Sequence, residues 1–256
     1  MPQPVKRGSS ISFDVVPVAQ LVRAPVCGTG SREFNSLQAP QIFNIPVVLF
    51  MKISLIGMSN TGKSFWAKEL EKIGFISYCC DDLIEEGLGQ ELKKLGYSGI
   101  ADVSKWMGQP YDPRYTQTSQ KYLTLESQVL HDIFQAIEKA VVDSCIVVDT
   151  TGSVIYTGAD ILKKLAKLTR VVYLEAPTSV QRQMYDLYIK EPKPVIWGNV
   201  FNKRQGEANL AALDRCYPEL LRSRAAMYKQ IAPITMDYFK LRRPDFTVNE
   251  FIESLA

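Results

Sequence analysis

The residues Gly57-Met58-Ser59-Asn60-Thr61-Gly62-Lys63-Ser64 fit the pattern GxxxxGK[ST], whose chemistry is the binding of nucleotide phosphates. Its glycines let the chain curl until successive N–H groups point at phosphate oxygens. A helix starting directly behind adds partial positive charge. Lys63 is expected to lie along the β- and γ-phosphates as a point charge, and Ser64 to offer its hydroxyl to Mg²⁺. Gly57, Ser59, Asn60, Thr61, Gly62 and the adjoining Phe65 complete the expected nucleotide-binding set. The cofactors this chemistry calls for are ATP and Mg²⁺. A second metal-holding group is expected in Asp149, which ends the apolar run Ile146-Val147-Val148 and could hold Mg²⁺ through water. An Asp there could equally begin a turn.

The elements needed to position these groups are legible nearby. Met51-Lys52-Ile53-Ser54-Leu55-Ile56 reads as a buried strand leading into the loop, and Phe65 to Lys72 has helical spacing, with Phe65, Trp66 and Leu70 available to the core. Further strands are expected over Gly74–Cys79, Cys145–Asp149, Arg170–Leu174 and Ile234–Met236. Helices are expected over Leu83–Leu95, Ile100–Met107, Ser119–Val142, Ala159–Leu168, Ser179–Ile189, Leu213–Gln230 and about 246–255. Strands alternating with helices imply a parallel sheet covered on both faces. Between Ile189 and Leu210, Pro192, Pro194 and Gly198 break regular structure among Lys190, Lys193, Trp197, Lys203 and Arg204. A mobile basic lid (about 190–210) is expected there, with Arg204 as the γ-phosphate contact because its planar fork matches phosphate oxygens. An ordinary surface loop is the other reading.

Composition bounds the possibilities. A chain of 256 residues with 46% hydrophobic and 22% charged residues can form a normal globular core. A net charge of +3 without a long basic run argues against nucleic acid as a partner. Lys203-Arg204 and Arg242-Arg243 are only short pairs, either solvated surface or phosphate contacts. Five cysteines lack metal spacing, and their odd number argues against a disulfide framework. They fit buried thiols in a cytoplasmic protein. His131 falls within a helical stretch and is not expected to be catalytic. No segment suits a membrane span.

Before Met51 the chain changes character. Val18 to Gly30, followed by Arg32-Glu33-Phe34, resembles the peptide obtained when a transfer-RNA gene is conceptually translated. Residues 1–50 are therefore expected to be a disordered extension or an artefact of the gene model, with no ordered role for residues 1–44 and the kinase domain spanning 51–256.

From Met51 onward the chain resembles the shikimate kinase-like branch of P-loop kinases. The resemblance rests on the phosphate loop; on Asp81 with Ile84-Glu85, similar to the family's DxDxxIE motif; on Thr150-Thr151-Gly152-Ser153-Val154 in place of its GGGxV loop; and on Arg224-Ala225-Ala226-Met227-Tyr228 with Ala232, similar to RxPLYxxxA. It implies a three-layer α/β/α sandwich with a five-stranded parallel sheet, a mobile lid, and phosphotransfer to a hydroxyl of a small metabolite; a monomer is expected. It also implies that Asp81 holds and deprotonates the acceptor hydroxyl, that Gly152 approaches the substrate, and that Arg224 grips an anionic group on it. Asp81-Asp82 could instead cap a helix, and Arg224 could be a surface cation. Three departures stand out. Cys79 replaces the family's first acidic residue, Thr150 and Thr151 replace two glycines, and Tyr122-Leu123 stand where the FRxxE arginine belongs. Arg114 is a candidate replacement for that arginine.

These departures put shikimate itself in doubt and keep other readings open. They are a nucleoside or nucleotide kinase, for which Trp106 and Trp197 could stack a base; a nucleotide-binding regulatory switch; and a catalytically silent family member. No guanine-reading NKxD motif is present.

Overall fold

The computed structural model describes residues 50–255, so the reading of residues 1–44 as an extension lies outside the described residues. Five strands, β1 (Lys52–Ile56), β2 (Ile76–Cys79), β3 (Ile146–Asp149), β4 (Arg170–Leu174) and β5 (Ile234–Met236), form one all-parallel sheet in the order β2-β3-β1-β4-β5. Among the described residues, eight α-helices cover it: α1 (Lys63–Lys72), α2 (Cys80–Lys94), α3 (Ile100–Met107), α4 (Tyr115–Lys139), α5 (Ala159–Leu168), α6 (Gln181–Lys190), α7 (Asn209–Ile231) and α8 (Val248–Glu253). The result is a three-layer α/β/α sandwich. β1 lies at its centre, between β3 and β4, so the loop leaving β1 opens at the carboxyl end of the sheet, where α/β folds bind ligands.

Side chains on a strand alternate between faces, and the two cores follow that period. Ile53, Leu55, Val147, Val172 and Leu174 pack on one side with Trp66 and Leu70 of α1 and Phe251 of α8. Ile56, Ile146, Val148, Val171 and Tyr173 face the larger layer built from α2 to α7. Ser54 points into that second layer, where its hydroxyl meets the Thr169 hydroxyl at 2.8 Å, satisfying a polar pair in an apolar setting. Trp66 stacks on Phe251, with ring centroids 4.8 Å apart, and meets Phe246 edge-on at 5.4 Å. Phe65, expected in the core, is instead exposed beside the loop.

Three helices start three or four residues earlier than expected. α2 starts at Cys80 rather than Leu83, so Asp81 and Asp82 sit inside its first turn, where carboxylates favour the positive end of the helix dipole. They do not cap it from outside; Cys79 is the N-cap residue and its side chain makes no capping hydrogen bond. α4 starts at Tyr115 rather than Ser119, and α7 at Asn209 rather than Leu213.

The expected mobile lid is the largest correction. Its middle is a buried strap: Val195, Ile196 and Trp197 are all in the core. The Tyr115 hydroxyl accepts from the Trp197 N–H and donates to the Val195 carbonyl, both at 2.8 Å. Trp197 packs among Tyr188, Phe201 and Tyr217, which fixes the strap by burial of aromatic area. Among the described residues no helix is long and apolar enough to cross a membrane.

The α8 cap is expected to matter for the whole domain. Phe251→Ala removes the face on which Trp66 stacks, and should cost about 3–5 kcal/mol in urea unfolding monitored by tryptophan fluorescence.

Candidate active site

The loop after β1 curls around one carbonyl. The Met58 oxygen accepts from the Thr61 hydroxyl at 2.8 Å and from the Lys63 ammonium at 3.0 Å. Gly57 makes the curl possible. Its φ is +143°, and a Cβ there would lie 2.7 Å from the Leu174 carbonyl oxygen of β4. Asn60 takes a left-handed conformation with φ of +65°, one that Asn tolerates better than most residues. Arg242, just after β5, braces the outer side of the loop. Its guanidinium donates to the carbonyls of Asn60 at 2.9 Å and Thr61 at 3.2 Å, and stacks over the Tyr238 ring at 3.5 Å. The two arginines of the pair differ: Arg242 holds the loop backbone, whereas Arg243 lies on the surface beside Asp245 and Glu250.

Behind the loop, β1 and β3 run in register so that Leu55 lies beside Asp149, and β2 places Cys79 next to Asp149. Asp149 is buried, with Ser64 close by. Burial raises its proton affinity, and the Lys63 ammonium pulls it back. Burial likewise depresses the Lys63 pKa, against the attraction of Asp149 and Asp81. The Cys79 thiol lies 4.0 Å from an Asp149 oxygen and is pushed up to about 12 by burial, so it stays neutral and contributes no charge. Among the described residues no group of three or more His, Cys, Asp or Glu could cage a metal. A hydroxyl and a carboxylate near each other suit Mg²⁺, which keeps most of its shell as water and phosphate oxygen.

Facing the loop is Asp81, half-buried in the first turn of α2, which accepts from the Tyr122 hydroxyl of α4 at 3.3 Å. Burial holds its carboxyl above the usual range, with Lys63 opposing. The back wall comes from the turn after β3. Thr150 turns away from the opening and donates to the Leu55 carbonyl at 2.7 Å, extending the sheet. Thr151 and Ser153 both donate to the carboxylate of Glu126 on α4, which is wholly buried and pushed up to about 7 by that burial. The two threonines that displace glycines in the resemblance therefore each have a structural task.

Arg224 does not reach the opening. It is buried on α7 and donates to the Gly152 carbonyl at 2.9 Å and to the Ile196 carbonyl. Its guanidinium also contacts the Met58 sulfur at 3.4 Å and lies 5.3 Å from the Tyr156 ring centre. It is neither the surface cation nor the substrate clamp expected from sequence; it ties three segments together. Arg204 is exposed at the far end of the strap, its backbone N–H held by Glu207, and does not enter the site. Lys193 stands there instead, within electrostatic reach of Lys63, Asp81 and Asp149. Arg114 caps α4 and donates to the Lys105 carbonyl at 2.7 Å, so it replaces no clamp.

These groups open on one cavity of about 300 Å³, lined by Ser59, Asn60, Gly62, Lys63, Ser64 and Phe65 on the loop side. Asp81, Tyr122, Thr151, Gly152, Leu187, Lys193 and Pro194 complete the lining. Of the residues singled out in the sequence, Gly57, Thr61, Asp149 and Arg224 support this lining from behind, and Arg204 lies outside it. Trp106 and Trp197 are both buried away from it, so neither is placed to stack a base. His131 is exposed on α4. Tyr122 and Lys193 are the lining residues whose roles sequence reading passed over.

No family model matches this chain, and no curated protein matches it. Among the solved structures that are similar to it are two shikimate kinases. A shikimate kinase from Acinetobacter baumannii in complex with shikimate aligns at 20% identity and TM-score 0.48, covering 79% of this chain and 88% of that one. A shikimate kinase from Bacteroides thetaiotaomicron aligns at 15% identity and TM-score 0.47, covering 80% and 94%. What the site does must come from its own geometry.

Two outcomes follow from that geometry. Arg242→Ala leaves the loop carbonyls unbraced and should weaken ATP binding about ten-fold by titration calorimetry, with little change in unfolding midpoint. Glu126 has a folded-state pKa near 7 against an ordinary value of 4.5, so the folded state holds the extra proton between those values. Stability is therefore lost as pH rises from 4.5 through 7, by at most about 3 kcal/mol. Glu126→Gln should flatten that slope in denaturation curves measured across the window.

Proposed function

We propose that this chain is an ATP- and Mg²⁺-dependent phosphotransferase that moves the γ-phosphoryl group of ATP to a hydroxyl of a small metabolite. One observation carries the reading: the phosphate loop and the half-buried Asp81 carboxylate open on the same cavity of about 300 Å³. A loop that only stored or sensed a nucleotide has no use for a carboxylate placed across from its lysine.

In this reading the loop N–H groups and Lys63 hold the β- and γ-phosphates, and Lys193 supplies the second cation from the strap, in the place expected for Arg204. Ser64 and Asp149 would hold Mg²⁺, which when bound neutralises charge on phosphate oxygens. Asp81 orients the acceptor hydroxyl and takes its proton. The hydroxyl oxygen bonds to the γ-phosphorus as the bond to the β,γ-bridging oxygen breaks, and ADP leaves. A carboxyl whose proton affinity is raised by burial is better matched to that proton transfer than an exposed one. The partner is a small hydroxyl-bearing molecule, met by a monomer in the cytoplasm, and not nucleic acid or a membrane.

Two variants test the assignment. Lys63→Ala should abolish ATP binding, because the ammonium that faces the phosphates is gone. Asp81→Asn should keep ATP binding and lower acceptor-stimulated ADP formation by about 10²–10⁴-fold. Equal ATP affinity in Lys63→Ala would overturn the nucleotide site, and undiminished transfer in Asp81→Asn would remove the base.

A further inference from the structure

Lys193 reaches the cavity from a stretch of chain without regular structure. From Pro192 to Ile196 the strap makes no backbone-to-backbone hydrogen bond with any described residue. No ion pair among the described residues engages the Lys193 ammonium. A long, rotatable side chain on such a backbone would sample many positions, and fixing it costs entropy. What fixes Lys193 therefore acts through the backbone that follows it.

That backbone is held by side chains. The Tyr115 hydroxyl, at the start of α4, donates to the Val195 carbonyl and accepts the Trp197 N–H, both at 2.8 Å. A phenol carries one hydrogen and can also accept, so this single group satisfies two polar atoms of the strap. Between them the Ile196 carbonyl accepts from Arg224. Val195, Ile196, Trp197 and Tyr115 are all buried, so loss of the hydroxyl leaves a carbonyl and an N–H unpaired away from water. Pro194 links the pinned Val195 to Lys193, and its ring fixes one backbone dihedral in between. Both Lys193 and Pro194 line the cavity. Tyr115 is itself anchored, its N–H donating to the Asp112 carbonyl at 3.0 Å.

We infer that Tyr115 is the positioning residue for Lys193: it pins the strap at Val195 and Trp197, so that the ammonium faces the γ-phosphate without any closure of the strap. The inference rests on the phosphotransferase reading, in which Lys193 is the second cation, and the two can fail separately.

The test uses the full chain with Mg²⁺ and two probes, ADP and the β,γ-imido analogue of ATP, each titrated by calorimetry. Only the analogue carries a γ-phosphate, so the ratio of the two affinities reads the contact made by Lys193. Lys193→Met should cut that ratio by about ten-fold or more, the worth of a charge-assisted contact. Tyr115→Phe keeps the ring and should cut it by about five-fold or more. Added to Lys193→Met, it should bring no further loss, because the two residues act as a unit. Hydrogen exchange at the Trp197 amide should quicken in Tyr115→Phe, with the β1 and β3 amides unchanged. Thr169→Val serves as the control for a lost buried hydroxyl, since Thr169 meets Ser54 at 2.8 Å, away from the strap. It should lower stability and leave the ratio intact. If Tyr115→Phe does not fold, Pro194→Gly decides: the Tyr115 bonds stay, the link to Lys193 loosens, and the ratio should fall.

An unchanged ratio in Tyr115→Phe beside a loss in Lys193→Met would overturn the inference. So would additive losses in the double variant, an equal loss in Thr169→Val, or an unchanged ratio in Pro194→Gly. An unchanged ratio in Lys193→Met would overturn it too, by removing Lys193 from the phosphate. If neither nucleotide binds, or both bind equally to Lys63→Ala, the phosphotransferase reading itself fails.

Discussion

One buried guanidinium holds the walls of this site together. Arg224 donates to the carbonyl of Gly152 after β3 and to that of Ile196 in the strap, and touches the Met58 sulfur of the phosphate loop. Removing such a charge from water is costly, and no carboxylate is hydrogen-bonded to it. Carbonyl oxygens and the Tyr156 ring offset the loss, and the Tyr228 hydroxyl shares the Gly152 carbonyl. The arrangement works only while all three segments stay in place. Moving the strap at Ile196 would uncover a charge deep in the protein. Preorganisation here is therefore a matter of solvation as well as packing.

A second set of charges is balanced on the same scale. Lys63, Asp81 and Asp149 lie close together where water is scarce, so burial opposes ionisation of each and the opposite charges restore it. Glu126 is held differently, by two hydroxyls and no hydrogen-bonded cation. Its oxygens fix where Thr151 points, which sets the chemistry of a wall that Glu126 itself never reaches.

Much of this was legible in the chain because it is local. The phosphate loop is defined by eight consecutive residues. Two strands and two helices fall where hydrophobic period and turn residues place them, namely β4, β5, α3 and α5. What could not be read is what depends on distant partners. The strap looked mobile because Pro192, Pro194 and Gly198 forbid regular structure. Its burial depends on the Tyr115 hydroxyl some eighty positions earlier and on an aromatic cluster from α6 and α7. The choice of Arg204 over Lys193 followed side-chain chemistry, whereas the fold selects by reach. Arg224 carried a family role in sequence that its burial denies. The expected start of α2 fell too late because Cys79-Cys80 reads as strand, although the two acids after it are what a helix start favours.

The brace on the phosphate loop comes from the opposite end of the chain. Arg242 lies about 180 positions after the carbonyls it holds, and Phe251, on which Trp66 of the loop's helix stacks, is later still. During synthesis the loop leaves the ribosome about 180 residues before Arg242, its support, arrives. A nascent chain that already contains every phosphate-contacting residue is still without its nucleotide site. Premature termination near the end would yield a polypeptide with an intact signature motif and a slack loop. The final twenty residues act as the completion signal for a structure written two hundred residues earlier.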